Sequence, residues 1–201
     1  MPVKENAVPV FKPKRNVPFV ALNQVEKELK RLEDLEVIEQ VDYPEWAAPT
    51  VYLKKKNNEV RVCADFSTGL NDCLKKYNYP LPNPEEVFAK CNGGENFSKL
   101  DLSEAYLQLQ VDEECAKVLT INTHKGLYRF KRLPFGVKVA PAIFQQVMDT
   151  MLADCEFAVP YLDDILIKSE SRDQHSEHIE EVFKRIGDYG FKVTEDKCEC
   201  F

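Results

Sequence analysis

The chain has 201 residues, of which 44% are hydrophobic and 30% are charged, with a formal net charge of −7. This composition predicts a globular protein with one large domain or two subdomains. No stretch approaches the roughly 18 apolar residues of a membrane span, and the N-terminus lacks an apolar signal core. We therefore expect an intracellular protein with no membrane partner. Seven cysteines, an odd number, are expected to be reduced thiols.

The first eighty residues predict an extended arm, a helix and a hairpin. Four prolines, from Pro2 to Pro18, keep residues 1–21 extended. A helix is predicted from Asn23, as its N-cap, to about Glu39. Strands at 50–53 and 60–63 predict a hairpin whose tip is basic, because three lysines occupy 54–56. Residues 67–82 are predicted to be irregular.

The remaining residues alternate helices and strands. Asn83 followed by Pro84 is typical of a helix start, and this helix should end near Cys91. The other predicted elements are a strand over 96–102, a strand over 107–111, a hairpin over 118–121 and 127–131, a helix over 140–153, a hairpin around 163, a helix over 172–189 with Ile179, Val182, Phe183 and Ile186 inward, and a strand from 191. This order predicts an α+β fold in which helices back an antiparallel split-βαβ sheet.

Adjacent carboxylates mark the most informative stretch of the chain. Asp163 and Asp164 lie between two apolar runs, which predicts a tight turn between buried strands. Two anions at such a turn repel each other unless a cation neutralises them. Asp101 ends another predicted strand, and the sheet could place it beside Asp163. Three carboxylates at two strand ends could hold two Mg²⁺ about 4 Å apart, as in phosphoryl transfer.

The sequence signal for a metal site is weaker at the cysteines and histidines. Cys198 and Cys200 lack the two-residue gap of a zinc knuckle, and His175 and His178 are predicted on a polar helix. We therefore expect no zinc site.

Several motifs, taken together, carry a resemblance to a known family. In chain order over about 20–201 they are Glu45-Trp46-Ala47-Ala48-Pro49, Lys54-Lys55-Lys56, Val60-Arg61-Val62-Cys63-Ala64-Asp65-Phe66, Tyr79-Pro80-Leu81-Pro82, Phe97-Ser98-Lys99-Leu100-Asp101-Leu102, Leu133-Pro134-Phe135-Gly136 with Ala140-Pro141, Tyr161-Leu162-Asp163-Asp164, and Lys197-Cys198. The chain resembles the reverse transcriptase domain of gypsy-type LTR retrotransposon Pol polyproteins. The stretch from Ala64 to Asn71 departs from the family's usual sequence, which leaves template contacts there open.

The resemblance implies a right-hand polymerase with fingers and palm. The fingers would comprise 1–84 and 113–139, and the palm 85–112 and 140–201. The thumb and RNase H segments would lie beyond residue 201, so the chain is expected to be a fragment and a weak or inactive polymerase by itself. The implied activity is RNA-directed DNA polymerisation on an RNA or DNA template with a primer and dNTPs. RNase H and integrase segments are expected in the full polyprotein, and its expected location is the cytoplasm, in a virus-like particle, or the nucleus.

The resemblance also implies roles for individual residues. Asp101 and Asp163 would hold two Mg²⁺, or Mn²⁺ in their place, with Asp164 as a less directly bound third carboxylate and the Leu102 carbonyl completing one coordination shell. Lys197 would donate a proton to the pyrophosphate. The implied nucleotide-binding residues are Lys54 or Lys55 and Arg61 for the phosphates, the backbone N–H groups of Glu104 and Ala105 for the triphosphate, Tyr106 as a steric gate against the ribose 2′-OH, and Phe135 and Gly136 lining the pocket.

Two other functions stay open from the sequence. The chain could be a catalytically inactive retroelement remnant that binds nucleic acid or a protein, although a relic under no constraint should have lost one of the three aspartates. A palm-type nucleotide cyclase is the other possible function, but it would not explain why Arg61 and Tyr106 occur at their spacings from the aspartates.

Overall fold

The computed structural model describes residues 1–55 and 59–200, with the backbone alone at Cys200. The helices are α1 (Leu22–Asp34), α2 (Leu70–Cys73), α3 (Pro84–Cys91), α4 (Glu113–Val118), α5 (Ala140–Met151) and α6 (Arg172–Asp188). The strands are β1 (Ile38–Val41), β2 (Ala48–Lys54), β3 (Val60–Ala64), β4 (Asn96–Asp101), β5 (Thr120–Thr123), β6 (Gly126–Phe130), β7 (Ala158–Tyr161), β8 (Asp164–Ser169) and β9 (Glu199–Cys200). Among these residues no helix combines the length and apolar character needed to cross a bilayer.

The chain divides into two compact units. The first unit comprises Met1–Lys76 and Leu109–Ala140, and the second comprises Tyr77–Gln108 and Pro141–Phe201. Each unit is therefore built from two separate stretches of sequence. The predicted boundaries of the fingers and palm segments stay a prediction.

A five-stranded sheet organises the first unit. Its strand order is β1-β6-β5-β2-β3, with β2 parallel to β5 and the other neighbours antiparallel. The predicted hairpin of β2 and β3 is confirmed, and its tip residues 56–58 lie outside the described part of the chain. Helix α1 packs on β3 and β1 and buries Val25, Leu29 and Leu32.

A four-stranded antiparallel sheet organises the second unit. Its order is β7-β8-β4-β9, and α6 packs against β8 and β4. Ile165 and Ile167 of β8 are fully buried, as are Phe144 and Met148 of α5. Helix α3 begins as the sequence predicts, with a capping box in which Glu86 N–H donates to Asn83 Oδ1 at 2.8 Å and Asn83 N–H donates to Glu86 at 3.0 Å.

Several predicted elements are wrong at particular positions. Helix α1 begins at Leu22 with Ala21, not Asn23, as its N-cap, and it ends at Asp34. The chain then turns through Glu36, whose φ of 53° is left-handed, and enters β1. The predicted strand over 107–111 is also wrong, because a 3₁₀ turn occupies Ala105–Gln108. Short helix α2 lies in the stretch predicted to be irregular, and α4 was not predicted.

The last helix and strand differ from expectation as well. Phe183 of α6, predicted to face inward, is 40% exposed, whereas His175 is buried on the inner side. The strand predicted from Phe191 is reduced to an isolated bridge between Val193 and Leu102, and β9 forms later.

Candidate active site

The three aspartates lie at the adjoining ends of β4 and β8. Asp101 is the last residue of β4 and stands directly opposite Asp164, the first residue of β8. Asp163 lies in the turn before β8, and its backbone carbonyl accepts a hydrogen bond from Leu102 N–H at 3.1 Å. Residues opposite each other on antiparallel strands project from the same face. The structure therefore brings Asp101 and Asp164 together and holds the Asp163 turn against the end of β4.

A buried glutamine fixes the turn that carries Asp163. Gln145 of α5 is 1% exposed. Its amide donates to Pro160 O and to Asp149 Oδ1, each at 3.0 Å, and its carbonyl accepts from Leu162 N–H at 3.3 Å. Leu162 has a φ of 55°, a left-handed conformation that is unfavourable for a branched side chain. The hydrogen bonds to Pro160 O and from Leu162 N–H hold the turn in that conformation, and the bond to Asp149 orients the glutamine.

Tyr79 extends the hydrogen-bond network that supports the Asp163 turn. Asp149, which accepts from Gln145, also accepts from the hydroxyl of Tyr79 at 2.6 Å. That hydrogen bond raises the pKa of Tyr79 to about 12. A polar chain thus runs from Tyr79 through Asp149 and Gln145 to the Asp163 turn.

Two lysines neutralise part of the negative charge at this site. Lys197 Nζ lies 3.2 Å from Asp101 Oδ1 and 3.4 Å from its Oδ2. Lys99 Nζ lies 3.1 Å from Asp164 Oδ2, and this contact raises the pKa of Lys99. The cation that an adjacent pair of aspartates requires is therefore supplied in part by the chain itself.

The donor atoms suit a hard divalent cation, although their side chains do not converge. Within residues 1–55 and 59–200, no three His, Cys, Asp or Glu side chains form a group that could hold a metal ion. Asp101 and Asp164 each face a different lysine, and Asp163 interacts with Tyr106. Carboxylate oxygens at adjacent strand ends are nevertheless the donors that Mg²⁺ prefers. The donor set fits the metal, which would have to compete with the two lysines.

Tyr106 lies beside Asp163 in the second unit. Its side chain is buried and packs edge-on against Phe144, with ring centroids 5.1 Å apart. Burial and, second, the Asp163 carboxylate raise the pKa of the tyrosine to about 12. The preceding Glu104 has a φ of 47°, and Ala105 is buried at the start of the 3₁₀ turn. The structure therefore brings Tyr106 to the aspartates.

The remaining predicted nucleotide-binding residues belong to the first unit. The guanidinium of Arg61, an exposed residue on β3, lies 5.6 Å from the centroid of the Phe135 ring. Gly136 follows with a φ of 91°, and a Cβ there would lie 2.9 Å from Ala64 O. Only glycine fits that turn without displacing backbone. Arg61, Phe135 and Gly136 therefore form one cluster.

The two candidate fingers lysines differ in their contacts. Lys54 is exposed at the end of β2. Lys55 is half-buried, and its Nζ lies 3.4 Å from Glu59 Oε2.

Sequence reasoning missed three supporting residues. Lys99 lies two positions before Asp101, so strand periodicity places it on the same face as that aspartate. Gln145 is a polar residue on the buried face of α5, between Phe144 and Met148. Asn71 donates to Gly136 O at 2.9 Å and accepts from Lys138 N–H at 2.8 Å, and so holds the Phe135-Gly136 turn. The first two had a detectable sequence signal, whereas Asn71 had none.

The fold of the chain is that of the reverse transcriptases of solved structure. The structure is similar to that of prototype foamy virus protease-reverse transcriptase, with a TM-score of 0.89 and 18% identity over 96% of this chain and 26% of that chain. A second structure of the foamy viral protein, in complex with an RNA/DNA hybrid, matches with a TM-score of 0.88 and the same coverage. The predicted fold class, fingers and palm of a right-hand polymerase, is confirmed.

Sequence comparison gives the family. Residues 53–201 match the sequence profile of reverse transcriptase (RNA-dependent DNA polymerase). The chain belongs to this family, and the predicted identification is confirmed.

The relatives include retrotransposon polyproteins. An uncharacterized protein of Caenorhabditis elegans is 46% identical over 97% of this chain and 16% of its own length. The Pol polyprotein from transposon 297 of Drosophila melanogaster is 33% identical over 88% of this chain and 17% of its own. The Tf2-3 polyprotein of Schizosaccharomyces pombe is 33% identical over 76% of this chain and 12% of its own. The chain thus spans less than a fifth of the length of each.

Proposed function

We propose that this chain carries the nucleotidyl-transfer site of an RNA-directed DNA polymerase. The observation that carries the proposal is the placement of Asp101, Asp163 and Asp164 at adjoining strand ends of a sheet, in a chain that belongs to the reverse transcriptase family. The reaction joins a primer 3′-OH to the α-phosphate of a dNTP and releases pyrophosphate. RNA or DNA templates and dNTPs are the proposed partners, and an intracellular location stays a prediction.

Asp101 and Asp163 are the proposed principal ligands of two Mg²⁺, or of Mn²⁺ in their place. Asp164 would contribute as a third, less directly bound carboxylate, and the Leu102 carbonyl as a backbone ligand. When bound, such metals favour ionisation of the attacking hydroxyl and stabilise the charge that develops on the leaving oxygen. The chain's own contribution is to fix the carboxylates, through the β4–β8 pairing and through the Gln145 hydrogen bonds to the Asp163 turn.

Positioning of the nucleotide is the second part of the proposal. Planar Arg61 suits bidentate contact with phosphate, and its packing against Phe135 orients the guanidinium. Lys54 or Lys55, with the backbone N–H groups of Glu104 and Ala105, would bind further phosphate oxygens. The remaining roles are those of Tyr106, whose ring would exclude a ribose 2′-OH, and of Phe135 and Gly136, which would line the nucleotide pocket.

Lys197 is the proposed proton donor to the pyrophosphate. Its ammonium is largely exposed and contacts Asp101, so it lies at the carboxylate cluster with access to solvent. An ammonium at that place can move a proton to a leaving group and take another from water.

Substitution of one aspartate tests the proposed chemistry. Asp163→Asn removes a charged ligand and keeps the side-chain volume, so we expect nucleotide incorporation on a primed template to fall by at least about 10³-fold. Asp188→Asn is the matched control, because Asp188 is an exposed residue at the end of α6. Circular dichroism of both variants should match the parent.

The same assay separates the polymerase from the alternative of an inactive remnant. The assay uses a longer polyprotein segment that contains this chain, because the chain by itself is expected to be weak or inactive. A parent of that length that binds primer–template yet incorporates no dNTP with Mg²⁺ or Mn²⁺ would support the non-catalytic module. Incorporation by Asp163→Asn within tenfold of an active parent would show that the metal assignment is wrong.

A further inference from the structure

Lys99 lies at the centre of a group of acidic residues on one face of the second unit's sheet. It stands two residues before Asp101 on β4, directly opposite Glu199 of β9 and diagonal to Asp164 of β8. Its Nζ contacts Asp164 Oδ2 at 3.1 Å. Asp164, Asp101 and Glu199 all act electrostatically on Lys99, with Asp164 the strongest. This lysine takes no part in the proposed chemistry.

We propose that Lys99 tunes the affinity of the metal site: its ammonium pairs with Asp164 and so offsets the charge of that carboxylate beside a divalent cation bound by Asp101 and Asp163. This inference rests on the proposed function and deepens it. Lys99 thereby sets the net charge that a metal meets, and so the affinity of the site for a divalent cation.

The anchoring of the pair distinguishes it from an ordinary surface ion pair. Both side chains project from the interior of a hydrogen-bonded sheet, and they are 38% and 31% exposed. Diagonal neighbours on one face of an antiparallel pair are within reach of a long side chain. The Lys197 ammonium, by contrast, is 64% exposed and comes from a short 3₁₀ turn after α6. The Lys99–Asp164 ion pair is therefore held more firmly than the Lys197–Asp101 ion pair.

Removal of the lysine charge should tighten metal binding. In Lys99→Met the side chain keeps its length, while Asp164 loses its counter-charge and the site becomes more negative. We expect the Mn²⁺ dissociation constant, measured by titration calorimetry without nucleic acid, to fall on the order of fivefold. The Coulomb energy between one charge and a divalent ion roughly 5 Å apart in water, reduced by screening at physiological ionic strength, implies a change of this size. A lysine needed only for folding would give the opposite result, weaker binding with a lower melting temperature.

Lys168→Met is the matched control for net charge. Lys168 lies on β8 opposite Phe97, four residues along the strand from Asp164 and on the same face. That spacing is about 13 Å along the strand, beyond the Debye length of about 8 Å at physiological ionic strength. We expect the Mn²⁺ dissociation constant of Lys168→Met to stay within about twofold of the parent value. The dissociation constant of Lys99→Arg should also stay within about twofold, because the ion pair with Asp164 is retained.

A double-substitution cycle separates an indirect role of Asp164 from direct ligation. Asp164→Asn alone leaves the Lys99 charge unpaired beside the site, so Mn²⁺ affinity should fall about fivefold. In Lys99→Met with Asp164→Asn the pair is removed as a neutral unit, and affinity should return to within about twofold of the parent. A double variant as weak as Asp164→Asn would overturn the inference, because Asp164 would then be a direct ligand.

One further variant distinguishes the failure of this inference from that of the proposed metal site. If Asp163→Asn abolishes Mn²⁺ binding and Lys99→Met binds no more tightly than Lys168→Met, the proposed effect of Lys99 on metal affinity is wrong and the metal site stands. If Mn²⁺ affinity survives Asp163→Asn unchanged, the metal site itself is wrong, and the role of Lys99 is overturned with it.

Discussion

Gln145→Leu should destabilise the second unit and loosen the turn that carries Asp163. The leucine retains much of the volume in a fully buried position, so little cavity is created, and the effect should come from hydrogen bonding. Three bonds are lost, to Pro160 O, to Asp149 Oδ1 and from Leu162 N–H. A buried acceptor left unsatisfied costs about 1–3 kcal/mol, and each remaining bond contributes about 0.5–1.5 kcal/mol. We expect the free energy of unfolding to fall by about 2–6 kcal/mol.

Denaturant unfolding followed by circular dichroism gives this quantity directly. Gln146→Leu is the control, because Gln146 is the exposed neighbour on the same helix, and it should change stability by less than about 1 kcal/mol. The turn should respond as well: with its left-handed Leu162 no longer held, Asp163 is misplaced and Mn²⁺ affinity should fall. A Gln145→Leu protein within about 1 kcal/mol of the parent, with parental Mn²⁺ affinity, would refute the supporting role of Gln145.

Three further substitutions test other parts of the structure. Burial lowers the pKa of His175 below its ordinary 6.5, so the unfolded chain binds more protons than the folded chain. The free energy of unfolding, measured by urea titration, should therefore fall as the pH drops below about 6.5, and it should depend less on pH in His175→Gln. Gly136→Ala should cost about 1–3 kcal/mol more in thermal unfolding than Gly93→Ala, since both glycines have positive φ but only the first would press a Cβ on backbone. Tyr106→Val should lower the ratio of kcat/KM for dNTPs over rNTPs, and an unchanged ratio would leave Tyr106 a packing residue.

The sequence predicted the carboxylate-bearing strands well because their local signals agreed with the tertiary structure. Apolar runs on both sides of Asp163 and Asp164 indicated the β7–β8 hairpin, and the Asn83-Pro84 start indicated α3. Where local preference and burial point to the same element, the element is recoverable from sequence alone.

The failures have identifiable physical causes. The alternation over 107–111 is typical of a strand, but the Gln108 side chain instead donates to Ser103 O and Lys192 O and accepts from Lys192 N–H, which stabilises the 3₁₀ turn. These partners are as far as 84 residues away in sequence, so no local pattern could reveal them. The end of α1 was missed because the left-handed residue that follows it is Glu36 rather than a glycine.

The charge balance at the aspartates changes one expectation drawn from the sequence. From sequence alone, adjacent carboxylates imply strong repulsion, so neutralising Asp163 should raise stability when no metal is bound. In the structure Lys197 already pairs with Asp101, and Lys99 pairs with Asp164, so much of that repulsion is offset before any metal binds. Asp163 in turn interacts with Tyr106, and asparagine would weaken that contact. The stability gained from Asp163→Asn should therefore be less than about 1 kcal/mol, and its effect should lie in metal affinity and catalysis.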